Sequence, residues 1–311
     1  MSLTALFDVA APAKLNLFLH IIGKRADGYH LLQSVFVLID WCDTLHFERR
    51  TDSLLARHDL GTALPADDLC LRAARSLQRE SGVSLGADIS IDKQVPSGAG
   101  MGGGSSDAAS TLLALNRLWG LDWPLARLLP LGLGLGADVP FFLAGHNAWV
   151  EGIGERLTPM PIPPQKFAVV KPAASLHTRA IFSHPLLVCD NEAATIEGFT
   201  EAAQTAESLT SFGRNDLQPS AESQCPEVVE ALKWLSARFG NSRMTGSGSA
   251  VFAGRGRNTK DNTKDSPNAQ SQSAAAMFDA LPAGWTGRMC RSLERHPLSG
   301  WAVQAEVGSE V

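Results

Sequence analysis

The amino-acid sequence predicts an α+β chain of two domains, and three observations carry that prediction. At 311 residues the chain is longer than one core usually supports, so two units of roughly 150 residues are the default division. Strand-like runs of alternating apolar residues and helix-like runs of 3.6 periodicity both occur, with no internal repeat. Four prolines (Pro159, Pro161, Pro163, Pro164) crowd a stretch that cannot be helix interior, and an apolar strand, KFAVVKP at 166–172, follows at once. The boundary is therefore placed there, giving domains at 1–160 and 161–311.

KLNLFLHII (14–22) alternates as a strand, with Leu15, Leu17, Leu19 and Ile21 on one face and Lys14 and Asn16 on the other. After the turn-forming RADG, QSVFVLID (33–40) and TLHFE (44–48) complete an antiparallel meander. DDLCLRAARSLQRE (67–80) has helical spacing behind an Asp cap and stops before Gly82. The strand ADISIDKQV (87–95) runs into PSGAGMGGGSSDAASTLLALNRLWG (96–120), a glycine-rich loop followed by a helix that Ser105 or Ser106 caps and Gly120 ends. Later, PEVVEALKWLSARFG (226–240) reads as a helix, and SRMTGSGSAVFAG (242–254) as a second glycine-serine loop feeding a strand. Residues 255–275 are polar and nearly without apolar anchors, so they read as an insertion unable to offset its own ordering entropy.

Composition excludes several classes. With 44% apolar and 19% charged residues the chain is an ordinary globular protein. No stretch reaches the roughly 18 apolar residues of a spanning helix, and no basic segment precedes the apolar residues of MSLTALFDVA, so a cytoplasmic protein without a membrane partner is expected. The five cysteines are scattered, with neither a C-x-x-C pair nor metal-ligand spacing, and read as reduced packing residues. A net charge of −5 without a Lys/Arg run provides no field to gather a nucleic acid, so any phosphate must be bound locally.

The loop from Pro96 to Asp107 is where that can happen. Glycines at 98, 100, 102, 103 and 104 free backbone N–H groups to curl around an anion, whereas a plain strand-to-helix turn needs one or two. Gly98-x-Gly100-x-x-Gly103 also satisfies the dinucleotide fingerprint, with Asp122 at the place of the ribose-binding acid, but the residues before Asp122 read as a helix end rather than a second strand. Nor is there a Walker G-K-[ST] ending, since Ser105 follows Gly104.

The stretch Pro96-SGAGMGGG-Ser105-Ser106-Asp107-Ala108-Ala109 resembles instead the glycine loop of the GHMP kinases. Pro12-Ala13-Lys14-Leu15-Asn16-Leu17 and Arg25-Ala26-Asp27-Gly28-Tyr29-His30 resemble the opening of that superfamily's diphosphocytidyl-methylerythritol kinases, Gly136-Ala137-Asp138-Val139-Pro140-Phe141 their catalytic segment, and Met244-Thr245-Gly246-Ser247-Gly248 their C-terminal glycine loop. The resemblance runs from residue 12 to about 253, in the family's order. It implies a two-domain GHMP kinase fold, with an N-terminal domain like ribosomal S5 domain 2 and a ferredoxin-like C-terminal domain. It implies ATP, accompanied by Mg²⁺, on Lys93, Pro96, Gly98, Gly100, Gly102, Gly103, Gly104, Ser105 and Ser106, with no protein metal site.

The same resemblance makes Asp138 the base that takes the proton of the attacking hydroxyl, with Lys14 beside it. It places Asn16, Tyr29, His30, Thr178, Phe182 and Gly246 at the second substrate. Tyr29 and Phe182 would sandwich a cytosine whose edge His30 reads; core packing is the other role open to Phe182. The implied reaction is phosphorylation of the 2-hydroxyl of 4-(cytidine 5′-diphospho)-2-C-methyl-D-erythritol, in non-mevalonate isoprenoid synthesis. Kinases of the same superfamily acting on homoserine, mevalonate or a sugar, and an S5-like RNA-binding protein, are the alternatives. Two residues depart from the family pattern. Asp107 stands where a neutral residue such as Asn or Ala is usual, with helix capping as its other reading, and Asp68 stands where an asparagine is usual near the adenine.

Overall fold

The computed structural model of the chain describes residues 3–204, 206–254 and 277–303, and the polar stretch at 255–275 lies outside the described residues. The elements of the first half are β1 (Ala5–Lys24), β2 (His30–Arg50), β3 (Leu55–Asp59), α1 (Leu69–Ser81), β4 (Gly86–Asp92), α2 (Gly103–Leu118), α3 (Leu125–Leu135), α4 (Val139–Ala144), β5 (Ala148–Glu151) and β6 (Arg156–Pro159). The second half contributes β7 (Lys166–Lys171), α5 (Thr178–Phe182), α6 (Ile196–Ala202), α7 (Ala206–Ser211), α8 (Gln218–Gln224), α9 (Pro226–Phe239), β8 (Arg243–Met244), β9 (Val251–Gly254) and β10 (Thr286–Arg291).

The first sheet is built on the long β1–β2 hairpin, whose outer β2 edge is shared by β4 along its C-terminal half and β5 along its N-terminal half. β3 joins β4 in parallel, with α1 as the crossover, and β6 closes the other edge. The second sheet is antiparallel in the order β10-β7-β9-β8, with helices between β7 and β8, which is the ferredoxin-like arrangement. Side-chain parity then makes the layers. Leu15, Leu17, Val35, Val37 and Ile39 share one core with Phe167, Val169 and Phe252 of the second sheet. The opposite parity, Phe36 and Leu38, packs in another core with Leu112 and Leu115 of α2.

Three local expectations change. The meander expected at 33–48 is a single strand, because Asp43, between the two runs, is fully buried and its carboxylate accepts the N–H groups of Gln94 (2.6 Å) and Val95 (2.7 Å) instead of making a turn. The face expected for Leu15, Leu17, Leu19 and Ile21 is split at a register shift between Asn16 and Leu19, which sends the first pair into one core and the second into the other. Both faces of β1 are covered there, so Lys14 and Asn16 are buried. The cap of α2 is Gly102 in the left-handed region, with Ser105 and Ser106 already inside the first turns; the Asp68 cap of α1 and its Gly82 terminus are as expected.

β6 ends at Pro159 and β7 begins at Lys166, so the division near residue 160, which we keep as a proposal, falls in the link between the sheets. Among the described residues, no helix is long and apolar enough to cross a membrane.

Candidate active site

The segment between β4 and α2 holds Gly98, Gly100 and Gly102 at φ of +62°, +72° and +71°. Left-handed glycines alternating with ordinary residues turn successive N–H groups to one side, the concavity that binds anions, and the N-terminus of α2 adds partial positive charge. Space demands glycine as well: a Cβ on Gly100 would stand 2.3 Å from the Thr245 carbonyl oxygen, and one on Gly102 would stand 3.0 Å from the Phe142 ring. The loop lines a cavity of about 370 Å³ that gathers Lys93, Pro96, Gly98, Gly100, Gly102, Gly103, Gly104 and Ser105. Its other end is apolar, from Leu64, Pro65 and Leu69, and suits a flat base. Ser106 does not line it; that side chain is fully buried, its Oγ without a hydrogen-bond partner.

Lys14 reaches the C-terminal end of this loop, since its backbone N–H donates to the Met101 carbonyl (2.9 Å) and its Cε lies 3.3 Å from where a Gly102 Cβ would be. Its ammonium is 3.5 Å from the Asp138 carboxylate, donates to Asn16 Oδ1 at 2.6 Å, and sits 4.3 Å from the centre of the Phe36 ring. Burial pushes the Lys14 ammonium below its usual range, and Asp138 offsets only part of this. Asn16 is itself fixed, donating to Ser34 Oγ (3.0 Å) and, through its backbone N–H, to Thr245 Oγ1 (2.9 Å). Asp138 occupies the cap position of α4, yet its carboxylate makes no capping bond and is partly exposed. A poised carboxylate beside a buried ammonium, at the mouth of an anion cradle, can accept a proton while charge builds on a neighbouring oxygen.

The second glycine loop touches the first through bare backbone: a Cβ on Gly246 (φ +54°) would stand 2.5 Å from the Gly100 carbonyl oxygen. Thr178, at the start of α5, bonds to Ser247 of this loop (2.9 Å between hydroxyls). Phe182, at the end of α5, faces the His30 ring with centroids 5.3 Å apart and planes inclined at 34°. Tyr29 is 59% exposed and its ring has no aromatic partner among the described residues. Without a base between them, Phe182 faces His30 rather than Tyr29. The cause is the hairpin loop, where Arg25 N–H donates to Tyr29 O (2.7 Å) and Tyr29 N–H donates to Asp27 Oδ1 (3.2 Å), turning Tyr29 outward.

Comparison with known proteins gives the family. The GHMP kinases N terminal domain model matches residues 68–146 and the GHMP kinases C terminal model residues 196–253. The 4-diphosphocytidyl-2-C-methyl-D-erythritol kinase of Methylibium petroleiphilum is 64% identical over 97% of this chain and 100% of its own length. The chain belongs to the 4-diphosphocytidyl-2-C-methyl-D-erythritol kinase family. A relative of the same name from Albidiferax ferrireducens is 55% identical over 98% of this chain and 99% of its own. A crystal structure of 4-(cytidine 5′-diphospho)-2C-methyl-D-erythritol kinase superposes with a TM-score of 0.71 at 31% identity, covering 90% of this chain and 98% of that one. Homoserine kinase from Cytophaga hutchinsonii, at TM-score 0.65 and 17% identity over 94% of this chain and 96% of its own, shares the fold.

Sequence reasoning missed several residues that shape this kinase's site. Arg57 is a hub under the apolar end of the cavity: its guanidinium donates to Asp59 (2.7 Å), to the carbonyls of Leu64 (3.1 Å) and Pro65 (2.8 Å), and pairs with Asp68 (2.9 Å). Asp68, whose place near the adenine is in doubt on sequence, thus lines the cavity with one oxygen already shared between Arg57 and the Leu71 N–H. Asp107 is no helix cap; it is buried and bound to Lys93, as is Asp43. The one available signal was a carboxylate, Asp107, next to a loop that reads as an anion cradle, because Asp43 and Arg57 meet their partners across stretches of chain.

Proposed function

We propose that this kinase transfers the γ-phosphoryl group of ATP to the 2-hydroxyl of 4-(cytidine 5′-diphospho)-2-C-methyl-D-erythritol, a cytoplasmic step of non-mevalonate isoprenoid synthesis. The observation that carries the reading is the Lys14–Asp138 pair, 3.5 Å apart at the end of the glycine loop. ATP lies with its base at Leu64, Pro65 and Leu69 and its phosphates on the N–H groups of residues 98–105, with Lys93 nearby. Asp138 accepts the proton of the attacking hydroxyl. Lys14, held by Asn16, stabilises negative charge on the transferring group. On the other side Gly246, Thr178 and Phe182 bound the cytidine end, His30 reads the base edge, and the exposed Tyr29 supplies the second aromatic face.

Among the described residues no group of three or more His, Cys, Asp or Glu side chains converges, and the carboxylates nearest the loop, Asp107 and Asp138, are each paired with an ammonium. Mg²⁺ is therefore read as arriving on the nucleotide's own phosphates, and the protein's own share of the catalysis is positioning and charge neutralisation. A substrate screen with ATP tests the reading, comparing the cytidine diphosphate ester with homoserine, mevalonate and galactose. Turnover confined to the first supports it, and preference for any other acceptor overturns it.

A further inference from the structure

Three charged side chains meet beneath the phosphate loop with almost no access to water: Asp43 of β2, Asp107 of α2, and Lys93 just after β4. The Lys93 ammonium donates to Oδ2 of both carboxylates, at 2.5 Å to Asp107. Asp43 takes two further bonds on Oδ1, from the N–H groups of Gln94 (2.6 Å) and Val95 (2.7 Å). Asp107 has no such support, and its Oδ1 is buried without a hydrogen-bond partner. Two carboxylates on one ammonium leave an uncompensated negative charge directly under the place where an anion binds. A proton on one of the two carboxylates removes that charge. With three donors around Asp43 and one around Asp107, that proton belongs to Asp107.

We propose that Asp107 is a positioning residue of the nucleotide site that works as a neutral acid, forming with Asp43 and Lys93 an uncharged floor under the phosphate loop. This rests on the nucleotide reading of the cavity. Protonated Asp and Asn have nearly the same shape, so an asparagine at this position would form the same floor. Gly103 shows how near the floor is: a Cβ there would be 3.6 Å from Asp43 Oδ2.

The surroundings act in one direction. Burial, the largest cause, raises the Asp107 carboxyl well above its usual range; Lys93 opposes this and Asp43 reinforces it. Burial likewise opposes charge on Lys93, but Asp107 and Asp43 outweigh it and raise the ammonium. From α1 the facing groups are the Cys70 thiol, itself pushed up by burial and by Asp107, and beyond it Asp68. The dipole of α2 contributes little, since Asp107 lies past the first turn. As pH rises through its folded value Asp107 loses the proton, and the new charge repels phosphate.

The test uses the full-length protein labelled with ¹³C-aspartate, compared with Asp107→Asn by infrared difference spectroscopy at neutral pH without nucleotide. Wild type should show a carboxylic-acid carbonyl band that the variant lacks. Carboxylate bands alone would overturn the proposal. In kinetics, Asp107→Asn should hold the KM for ATP within about threefold and make it independent of alkaline pH, whereas Asp107→Ala should raise it about tenfold with kcat within about twofold. A loss in Asp107→Asn as large as in Asp107→Ala overturns the proposal, because the site then needs the charge. An acid band in a wild-type protein that binds no ATP supports the proton assignment and overturns the nucleotide reading alone.

Discussion

The rings of His30 and Phe182, from opposite halves of the chain, lie 5.3 Å apart and 34° from parallel. One of the aromatic contacts between the two halves thus lies next to the exposed Tyr29. On the proposed reading, a cytosine stacking on Phe182 would take the place now held by the imidazole, leaving His30 to reach the base edge.

Phe182→Ala should therefore raise the KM for the cytidine substrate about tenfold, as expected for one stacking contact of about 1 kcal/mol, while the KM for ATP stays the same. Initial rates with each substrate varied in turn decide it. Equal loss for both substrates would make Phe182 a core residue.

His30 gives a pH dependence with a definite sign. Burial first, and the charge of Lys24 second, lower its pKa from 6.5. A depressed value means the neutral ring is favoured in the folded protein, so its contribution to stability is present above pH 6.5 and is lost as pH falls through the lowered value. The KM for the cytidine substrate should be constant above that point and change only on the acid side. A midpoint above 6.5 contradicts a neutral His30.

Asp138→Asn should abolish turnover while ATP still binds, because the base is lost and the glycine loop is untouched; single-turnover assays with an independent ATP titration separate the two. Lys14→Met should also be inactive, yet no less stable than wild type. Burial disfavours the Lys14 ammonium, so an apolar side chain of similar length removes that opposition, with a gain on the order of 1 kcal/mol. A marked fall in melting temperature would show that Lys14 is structural.

Arg57→Met should cost about 2–3 kcal/mol and raise the KM for ATP, since it strips partners from Asp59 and Asp68 and frees the carbonyls of Leu64 and Pro65 that shape the cavity's apolar end. Denaturant melts and ATP kinetics should move together. An unchanged KM would detach that wall from nucleotide binding.

Gly246→Ala should lower kcat/KM for both substrates at least tenfold. The alanine would need a left-handed backbone and would meet the Gly100 carbonyl at 2.5 Å, a combined penalty of about 2 kcal/mol or more. Near-normal kinetics would mean that the loops separate freely.

What was legible in the sequence was what local chemistry writes into adjacent residues. Glycines at 98, 100 and 102 announced the left-handed loop, Asp68 and Gly82 the two ends of α1, and the prolines at 159–164 the link between sheets. What escaped it depended on partners distant in the chain. Asp43 looked like part of a turn because its donors belong to residues 93–95, and the burial of Lys14 was not legible because the second sheet that covers β1 lies far along the sequence. Tyr29 and His30 are neighbours in a motif, but a hairpin loop sends their rings different ways, so which one faces Phe182 could not be read from the motif.

The bare-backbone contact between Gly100 and Gly246 leaves no slack between the loop assigned to ATP and the loop assigned to the cytidine substrate. A shift of either loop is a shift of both. The two ligands are then thermodynamically linked: whatever factor one imposes on the other's affinity is returned in equal measure. On the proposed reading, the first substrate to arrive would set the shape of the site that receives the second.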